Sequence, residues 1–383
     1  MNFQLDAEQQ LLQDSVRRFI DKSYGFEARA ALLREHQGGS AANWGIFADN
    51  GWLAAALPEA HGGLGGGVLD TALIAQELGR GLVIEPYLGC AVLAAQTLAA
   101  AADPAQQAAW LPALADGSQR AALAWCEASS HGNPGFVETV AQPSADGFIL
   151  RGTKSPVLGA QGAHRYIVSA RVGAGQGDDD IALFLVEAGA RGLHERAFLL
   201  HDGCGASELV LDQVPVGRSA LLGGTGSGLA ALRHGLAHGI AAQCAGLVGA
   251  MEKAVEMTAE YLRVRKQFGV AIGSFQALQH RMADMAAEME IARAMLHRLL
   301  ASLETDPPAL RQVAVSQAKA LVGRAAKYVC GQAIQLHGGI GMTEEYAIGH
   351  YYKHAVVADL LFGGADAHEA ACAEALQRSL AVS

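Results

Sequence analysis

Tyr261-Leu-Arg-Val-Arg-Lys-Gln-Phe-Gly269 leads into Phe275-Gln276 and then Gln279-His-Arg-Met-Ala-Asp-Met285, and the organisation of the chain builds outward from there. The stretch lies between two helical patterns. Downstream, Leu278, Met282, Met285, Met289, Ala292, Leu296 and Leu299 fall at alternating steps of 4 and 3, one apolar stripe along a helix. Upstream, Leu229 to Leu262 carries a comparable stripe. Leu310 to Leu336 repeats it after Pro307-Pro308, a pair that separates helices. Long helices joined by short loops pack antiparallel. Residues 223–383 are therefore expected to form a four-helix bundle, entered through the loop Gly223-Gly-Thr-Gly-Ser-Gly228.

Before that loop the pattern changes. Gly147-Phe-Ile-Leu-Arg-Gly152, Arg165-Tyr-Ile-Val-Ser-Ala170, Ile181-Ala-Leu-Phe-Leu-Val186 and Glu208-Leu-Val-Leu-Asp212 are short β-rich runs. Turn formers at Ala145-Asp-Gly147 and Gly173–Asp178 separate them. With no helices in between, residues 119–222 predict a compact barrel or sandwich. Residues 1–118 read as helical again: Leu11, Leu12, Val16, Phe19 and Ile20 share a helix face, and Asp70–Arg80 and Pro86–Ala102 are rich in Ala and Leu. Pro58-Glu-Ala-His-Gly-Gly-Leu-Gly-Gly-Gly67 is too dense in glycine for either element and is a loop. The expected fold class is α+β, with helices, a β-domain and a helical bundle in that order.

Composition sets the outer limits. The 383 residues suit two or three domains. With 51% hydrophobic and 17% charged residues, the chain is not intrinsically disordered. Lys plus Arg is 28 and Asp plus Glu is 38, a net charge of −10, so nucleic acid is not the expected partner. The start has no basic region followed by an apolar run, and Gly89–Ala102 is too short to span a bilayer. Cysteines at 90, 126, 204, 244, 330 and 372 form no C-x-x-C pair. A cytoplasmic protein without a metal is the expectation. The pairs His234/His238 and His350/His354 lack a third ligand at a usual spacing, and no dinucleotide fingerprint, Walker A loop or nucleophile elbow occurs.

Arg263, Arg265 and Lys266 put fixed cations beside a glycine turn, a place for a phosphate or pyrophosphate. Phe268 adds an aromatic face, and Gln276 can pair with an amide-like base edge. A basic helix end favoured by the dipole accounts for the same cations, and on residue chemistry alone both readings stand.

Arg265-x-Gln-Phe-Gly269, Phe275-Gln276 and Gln335-Leu-His-Gly-Gly-Ile-Gly-Met-Thr343 together resemble the acyl-CoA dehydrogenase family. Leu57-Pro-Glu-Ala-His-Gly-Gly-Leu-Gly65 resembles its N-terminal loop, and Gly152-Thr-Lys154 the strand entering its flavin site. Glu85-Pro-Tyr87 and Gly349-His-Tyr-Tyr-Lys353 look most like small subunits of pimeloyl-CoA dehydrogenase-type heteromers. The resemblance implies a helical domain, a β-domain and a four-helix bundle, and an FAD-dependent α,β-dehydrogenation of an acyl-CoA thioester in lipid or side-chain degradation. A carboxylate takes the α-proton, and the β-hydrogen leaves as hydride to the flavin. Electron-transferring flavoprotein is the implied acceptor, and the implied assembly is a homo- or hetero-oligomer with a homologous subunit.

The resemblance assigns the adenosine side of a flavin shared between subunits to Arg265, Gln267, Phe268, Gln276, Gln335, Gly338 and Gly339. Arg265 would pair with the pyrophosphate, and the glycines would admit the cofactor where a Cβ would obstruct. The ring side departs from the family. Cys126-Glu127-Ala128-Ser-Ser-His-Gly132 stands for T-E-P-x-x-G-S, and Pro156-Val157-Leu158 for W-[IV]-[TS]. Leu361-Phe362-Gly363-Gly364 stands for the Y-E-G-T of the catalytic glutamate, and the alternative glutamate position falls near Gly239. His238 and Asp366 are the remaining candidates for the base. Two alternatives follow: a non-catalytic subunit offering structure and a cofactor half-site, or an oxygen-using flavin enzyme on the same fold.

Overall fold

The structure is a computed structural model that describes residues 4–35, 39–173 and 177–382. Residues 1–3 and the middle of the expected Gly173–Asp178 turn lie outside the described residues. The first helices are α1 (Ala7–Ser23), α2 (Phe26–Glu35), α3 (Ala41–Asp49) and α4 (Val68–Arg80). A wide π-helical segment, Tyr87–Ala94, runs directly into α5 (Ala95–Ala101), and α6 (Pro104–Ala115) follows. The strands are β1 (Ala121–Ala124), β2 (Val140–Pro143), β3 (Gly147–Leu158), β4 (Arg165–Val172), β5 (Ile181–Glu187), β6 (Leu193–Leu199) and β7 (Gly205–Gly217). Then come α7 (Gly228–Val264), a hairpin of β8 (Lys266–Gln267) and β9 (Val270–Ala271), α8 (Gln276–Thr305), α9 (Pro308–His337), α10 (Ile348–Leu360) and α11 (Ala365–Val382). The order is a helical N-terminal part, a central curled sheet and a C-terminal helical bundle.

By packing, the chain divides into two compact units, residues 1–30, 72–83 and 240–383 in one and residues 31–71 and 84–239 in the other. In the second unit, β1 to β7 form one mixed sheet in the order β1-β4-β2-β3-β7-β6, with β5 also on β4. The long antiparallel β3–β7 ladder slips register between Leu150 and Gly152 and between Lys154 and Val157. Such irregularities bend strands and tighten twist, which curls the sheet around Leu150, Val157, Tyr166, Phe184, Leu209 and Val214.

In the first unit, α9 is the central helix, and α8, α10 and α11 pack on it. Residues 72–80 of α4 cross α7 closely: a Cβ added to Gly79 would lie 2.0 Å from the Gly246 carbonyl oxygen. Beside that crossing, Arg80 bridges to Glu77, Glu252 and Glu256, while Arg17 also reaches the buried Glu77. Among the described residues, no helix is long and apolar enough to cross a membrane, and no group of three or more His, Cys, Asp or Glu could hold a metal ion.

Candidate cofactor-binding surface

At the end of α7 the Arg265 N–H still bonds to the Tyr261 carbonyl, at 2.9 Å, and the chain then reverses. Lys266 and Gln267 pair with Ala271 and Val270. The two residues between them have left-handed backbones, Phe268 at φ 53° and Gly269 at φ 81°. Positive φ at both central positions is what a tight two-residue hairpin demands. Glycine meets it without strain, whereas phenylalanine is held there at a cost of about 1–3 kcal/mol. The strained ring is 93% exposed. Phe275 sits edge-on to it, with centroids 6.3 Å apart, and precedes the first residue of α8, Gln276.

The end of α9 lies against the same end of the unit. His337 stacks on Tyr261 with centroids 4.5 Å apart, and Arg281 Nη1 of α8 donates to Gln332 Oε1 of α9 at 2.7 Å. Gly338 then turns at φ 66°, ψ −141°, a conformation open to glycine. A Cβ at Gly338 or Gly339 would meet nothing within 4 Å. The structure therefore gathers Arg265, Gln267, Phe268, Gln276, Gln335, Gly338 and Gly339 at one end of one unit, and all seven are exposed. Gln267 Nε2 donates to the neighbouring Lys266 carbonyl at 2.9 Å. The side chains of Arg265, Gln276 and Gln335 find no hydrogen-bond or ion-pair partner among the described residues. A lone guanidinium, two unengaged amides, a presented ring and an open glycine turn fit a flat, anionic dinucleotide. FAD fits this donor set.

The other unit holds two of the stretches that depart from the family, Cys126–Gly132 and Pro156–Leu158. Glu127 is buried, with Oε1 2.6 Å from Lys154 Nζ and 2.7 Å from Thr139 Oγ1. Its other oxygen accepts from the Glu138 N–H at 2.7 Å. Burial works to raise the carboxyl pKa, but Lys154 and the hydrogen bonds outweigh it and hold Glu127 below the usual range. Burial pushes Lys154 down, to about 8, against the pull of Glu127. Next to this pair, Cys126 Sγ lies 3.6 Å from Ser130 Oγ, and burial raises its thiol pKa.

The two candidate bases are placed differently. His238 is half-buried with its ring 4.5 Å from His234. The Asp366 side chain is 98% exposed and pairs with Arg324 at 2.9 Å. In the turn before it, Phe362 has φ 63° and is 7% exposed. Its carbonyl accepts from His368 Nε2 at 3.0 Å, and His368 Nδ1 takes a hydrogen bond from Ser316 Oγ at 3.1 Å. Lys319 Nζ donates to the Ala358 and Asp359 carbonyls at 2.9 and 3.1 Å and so caps α10. The Leu361–Gly364 turn is thus firmly built and carries no acid.

The family model for the acyl-CoA dehydrogenase C-terminal domain matches residues 226–377, and that for the N-terminal domain matches residues 6–118. Acyl-CoA dehydrogenase FadE27 of Mycobacterium tuberculosis is 31% identical over 331 residues, 84% of each chain. Among solved structures, a chain of the Tcur3481-Tcur3483 steroid acyl-CoA dehydrogenase (G363A variant) is 30% identical, with TM-score 0.88 over 98% of this chain and 99% of that one. A chain of the ChsE4-ChsE5 complex from Mycobacterium tuberculosis is 28% identical, with TM-score 0.88 over 100% of both. Fold and surface thus define a flavoprotein oxidoreductase that acts on CH–CH bonds. The chain belongs to the acyl-CoA dehydrogenase family.

Proposed function

We propose that this chain is one subunit of a heteromeric, FAD-dependent acyl-CoA dehydrogenase, and that it supplies the adenosine-side half of a flavin site shared with a homologous partner. The observation that carries this reading is an asymmetry. The adenosine-side set is complete, exposed and largely unengaged, while the turn matching the catalytic glutamate presents the buried Phe362.

Removing the α-proton of an acyl-CoA thioester requires a lone pair within reach of that carbon. Phenylalanine has none, and Asp366 faces solvent beside Arg324. His238, the other candidate, lies half-buried against the His234 ring, and the base is assigned to the partner rather than to either residue. When bound, FAD accepts the β-hydrogen as hydride. This chain's task is binding. Arg265 would neutralise the pyrophosphate, Gln276 and Gln335 would satisfy polar edges of the adenosine, and Phe268 would cover a flat face. Gly338 and Gly339 would admit the cofactor against bare backbone. Electrons would pass to electron-transferring flavoprotein in the cytoplasm.

The test is purification of the chain alone and together with a homologous acyl-CoA dehydrogenase subunit from the same source. Expected for the chain alone are sub-stoichiometric FAD and little acyl-CoA oxidation with an anaerobic dye, both restored by the partner. A general base is worth about 10²–10⁴ in rate, so the difference is easily read. One FAD per isolated chain with ordinary turnover would overturn the reading. Oxygen-dependent turnover without enoyl-CoA would instead favour an oxygen-using enzyme.

A further inference from the structure

His337 ends α9 one residue before the Gly338 turn and is 3% exposed. Its Nδ1 lies 2.7 Å from the Ala333 carbonyl oxygen. A carbonyl only accepts, so Nδ1 carries the proton and the neutral ring keeps Nε2 as an acceptor. That Nε2 is buried, and no described residue donates to it. The ring packs on Tyr261 at 4.5 Å and on Tyr346 at 5.2 Å. Tyr261 in turn receives the Arg265 N–H on its carbonyl. One imidazole therefore touches the helix end that carries Arg265 and belongs to the turn that carries Gly338 and Gly339.

A ring used only as packing would serve better as phenylalanine, which stacks equally well and leaves no buried acceptor unsatisfied. What histidine adds is the Nδ1–H tie to Ala333, which fixes the ring plane against the helix end. We propose that neutral His337 is a positioning residue, holding the Arg265 hairpin and the Gly338 turn in register for the adenosine diphosphate portion of FAD. The inference rests on the half-site reading above and deepens it.

The geometry works in one protonation state. A second proton would go to Nε2, where no described acceptor waits. The groups facing the ring are the phenols of Tyr261 on α7 and Tyr346 before α10, and the nearby carboxylate, Glu260, acts on Tyr346. Burial accordingly holds the imidazole below its ordinary value of 6.5, outweighing the Ala333 bond. A group depressed in this way gives its full contribution above 6.5 and loses it as pH falls through the lower folded value.

The experiment is FAD titration of the full chain, with its partner where the complex is the binding form, from about pH 8 down to about pH 5. His337→Phe and Arg265→Ala are titrated in parallel. Wild type should bind evenly above neutrality and weaken in acid. His337→Phe should bind about tenfold more weakly at pH 8, the loss of one well-placed hydrogen bond, and show no comparable acid loss. Histidine-selective ¹⁵N spectra of the wild type should show Nδ1 protonated and Nε2 bare at neutral pH, a readout that survives if the variant fails to fold. Wild-type-like affinity and acid loss in His337→Phe, or a proton on Nε2 at neutral pH, would overturn the proposal. If Arg265→Ala weakens binding while His337→Phe does not, the role of His337 alone falls. If wild type binds no FAD in any form, the half-site reading falls and takes this inference with it.

Discussion

Lys154→Met removes a buried ammonium whose donors are all engaged, by Glu127 Oε1 at 2.6 Å, Ser169 Oγ at 2.9 Å and the Trp125 carbonyl at 3.4 Å. Glu127 would keep the Thr139 hydroxyl and the N–H groups of Glu138 and Thr139, but its charge would be buried without a counter-ion. Breaking one side of a buried pair costs about 3–5 kcal/mol. The pH response should also change sign. In the wild type the carboxyl sits below its ordinary 4.5, so the pair's contribution is full above that value and is lost as pH falls through the folded pKa. Without Lys154, burial dominates and lifts the carboxyl. The variant should then gain stability as Glu127 takes up a proton on mild acidification. Urea unfolding read by tryptophan fluorescence is the assay, because all four tryptophans, Trp44, Trp52, Trp110 and Trp125, lie in the sheet-containing unit. With a urea slope of about 2–3 kcal/mol per molar, the midpoint should drop by about 1 M or more. A midpoint within about 0.3 M of wild type, or a variant that loses stability in acid as the wild type does, would refute the reasoning.

Arg265→Ala should weaken FAD retention at least about tenfold, since a charge-assisted hydrogen bond to a phosphate is worth about 1.5–3 kcal/mol; titration of the complex reads it. Asp366→Asn should leave melting temperature and acyl-CoA oxidation of the complex unchanged, because the side chain is exposed and Arg324 retains Glu369; a hundredfold loss of rate would make Asp366 the base. Gly79→Ala should destabilise by about 2 kcal/mol or more despite a helix-propensity gain of about 1 kcal/mol. The new Cβ meets backbone at Gly246, and the shift would loosen the Arg80 bridges; calorimetry of the purified chain tests it. Sedimentation at micromolar concentration should show an oligomer, and a stable 39.8 kDa monomer would contradict a cofactor site shared between subunits.

The helices were the most legible part of the sequence, because a 3.6-residue period survives substitution by any apolar side chain. Of the stripe read on α8, Met285, Ala292, Leu296 and Leu299 are buried as expected, and α9 starts at Pro308 itself. Strands were legible where β-branched and aromatic residues crowd, as in β3, β4, β5 and β7. β1 is Ala-Ala-Leu-Ala, buried throughout and without a β-forming composition. β6, Leu-His-Glu-Arg-Ala-Phe-Leu, lies at the sheet edge with polar residues that face water. In the candidate surface, residue types pointed to Arg265, Phe268 and Gln276, and only the family resemblance added Gln267, Gln335, Gly338 and Gly339. What spacing could not give was set by contacts far apart in the chain: the Glu127–Lys154 pair, and the burial of His337 against Tyr261 and Tyr346. The left-handed backbone at Phe268 was also missed, since the adjoining Gly269 announced a turn but not that a bulky residue shares its strain.

The departures from the family pattern are not those of a chain drifting out of function. A structure losing a site by neglect would lose supporting contacts as readily as reactive groups. Here the supports are kept. Lys154 and Glu127 still make a fully bonded pair beside Cys126, in a core where a single missing partner is costly. The turn that carries Phe362 at φ 63° is still held by His368 and by the Lys319 cap, although nothing acidic stands there to be positioned. On the other surface, Arg265, Gln276 and Gln335 gain nothing inside the chain from being where they are, and Phe268 is strained and almost wholly exposed. Such residues are free to meet a ligand or a partner, as the proposed half-site requires. A firm scaffold, unengaged polar groups around an exposed ring at one end, and departures from the family pattern elsewhere are together what the proposed completion by a second chain requires.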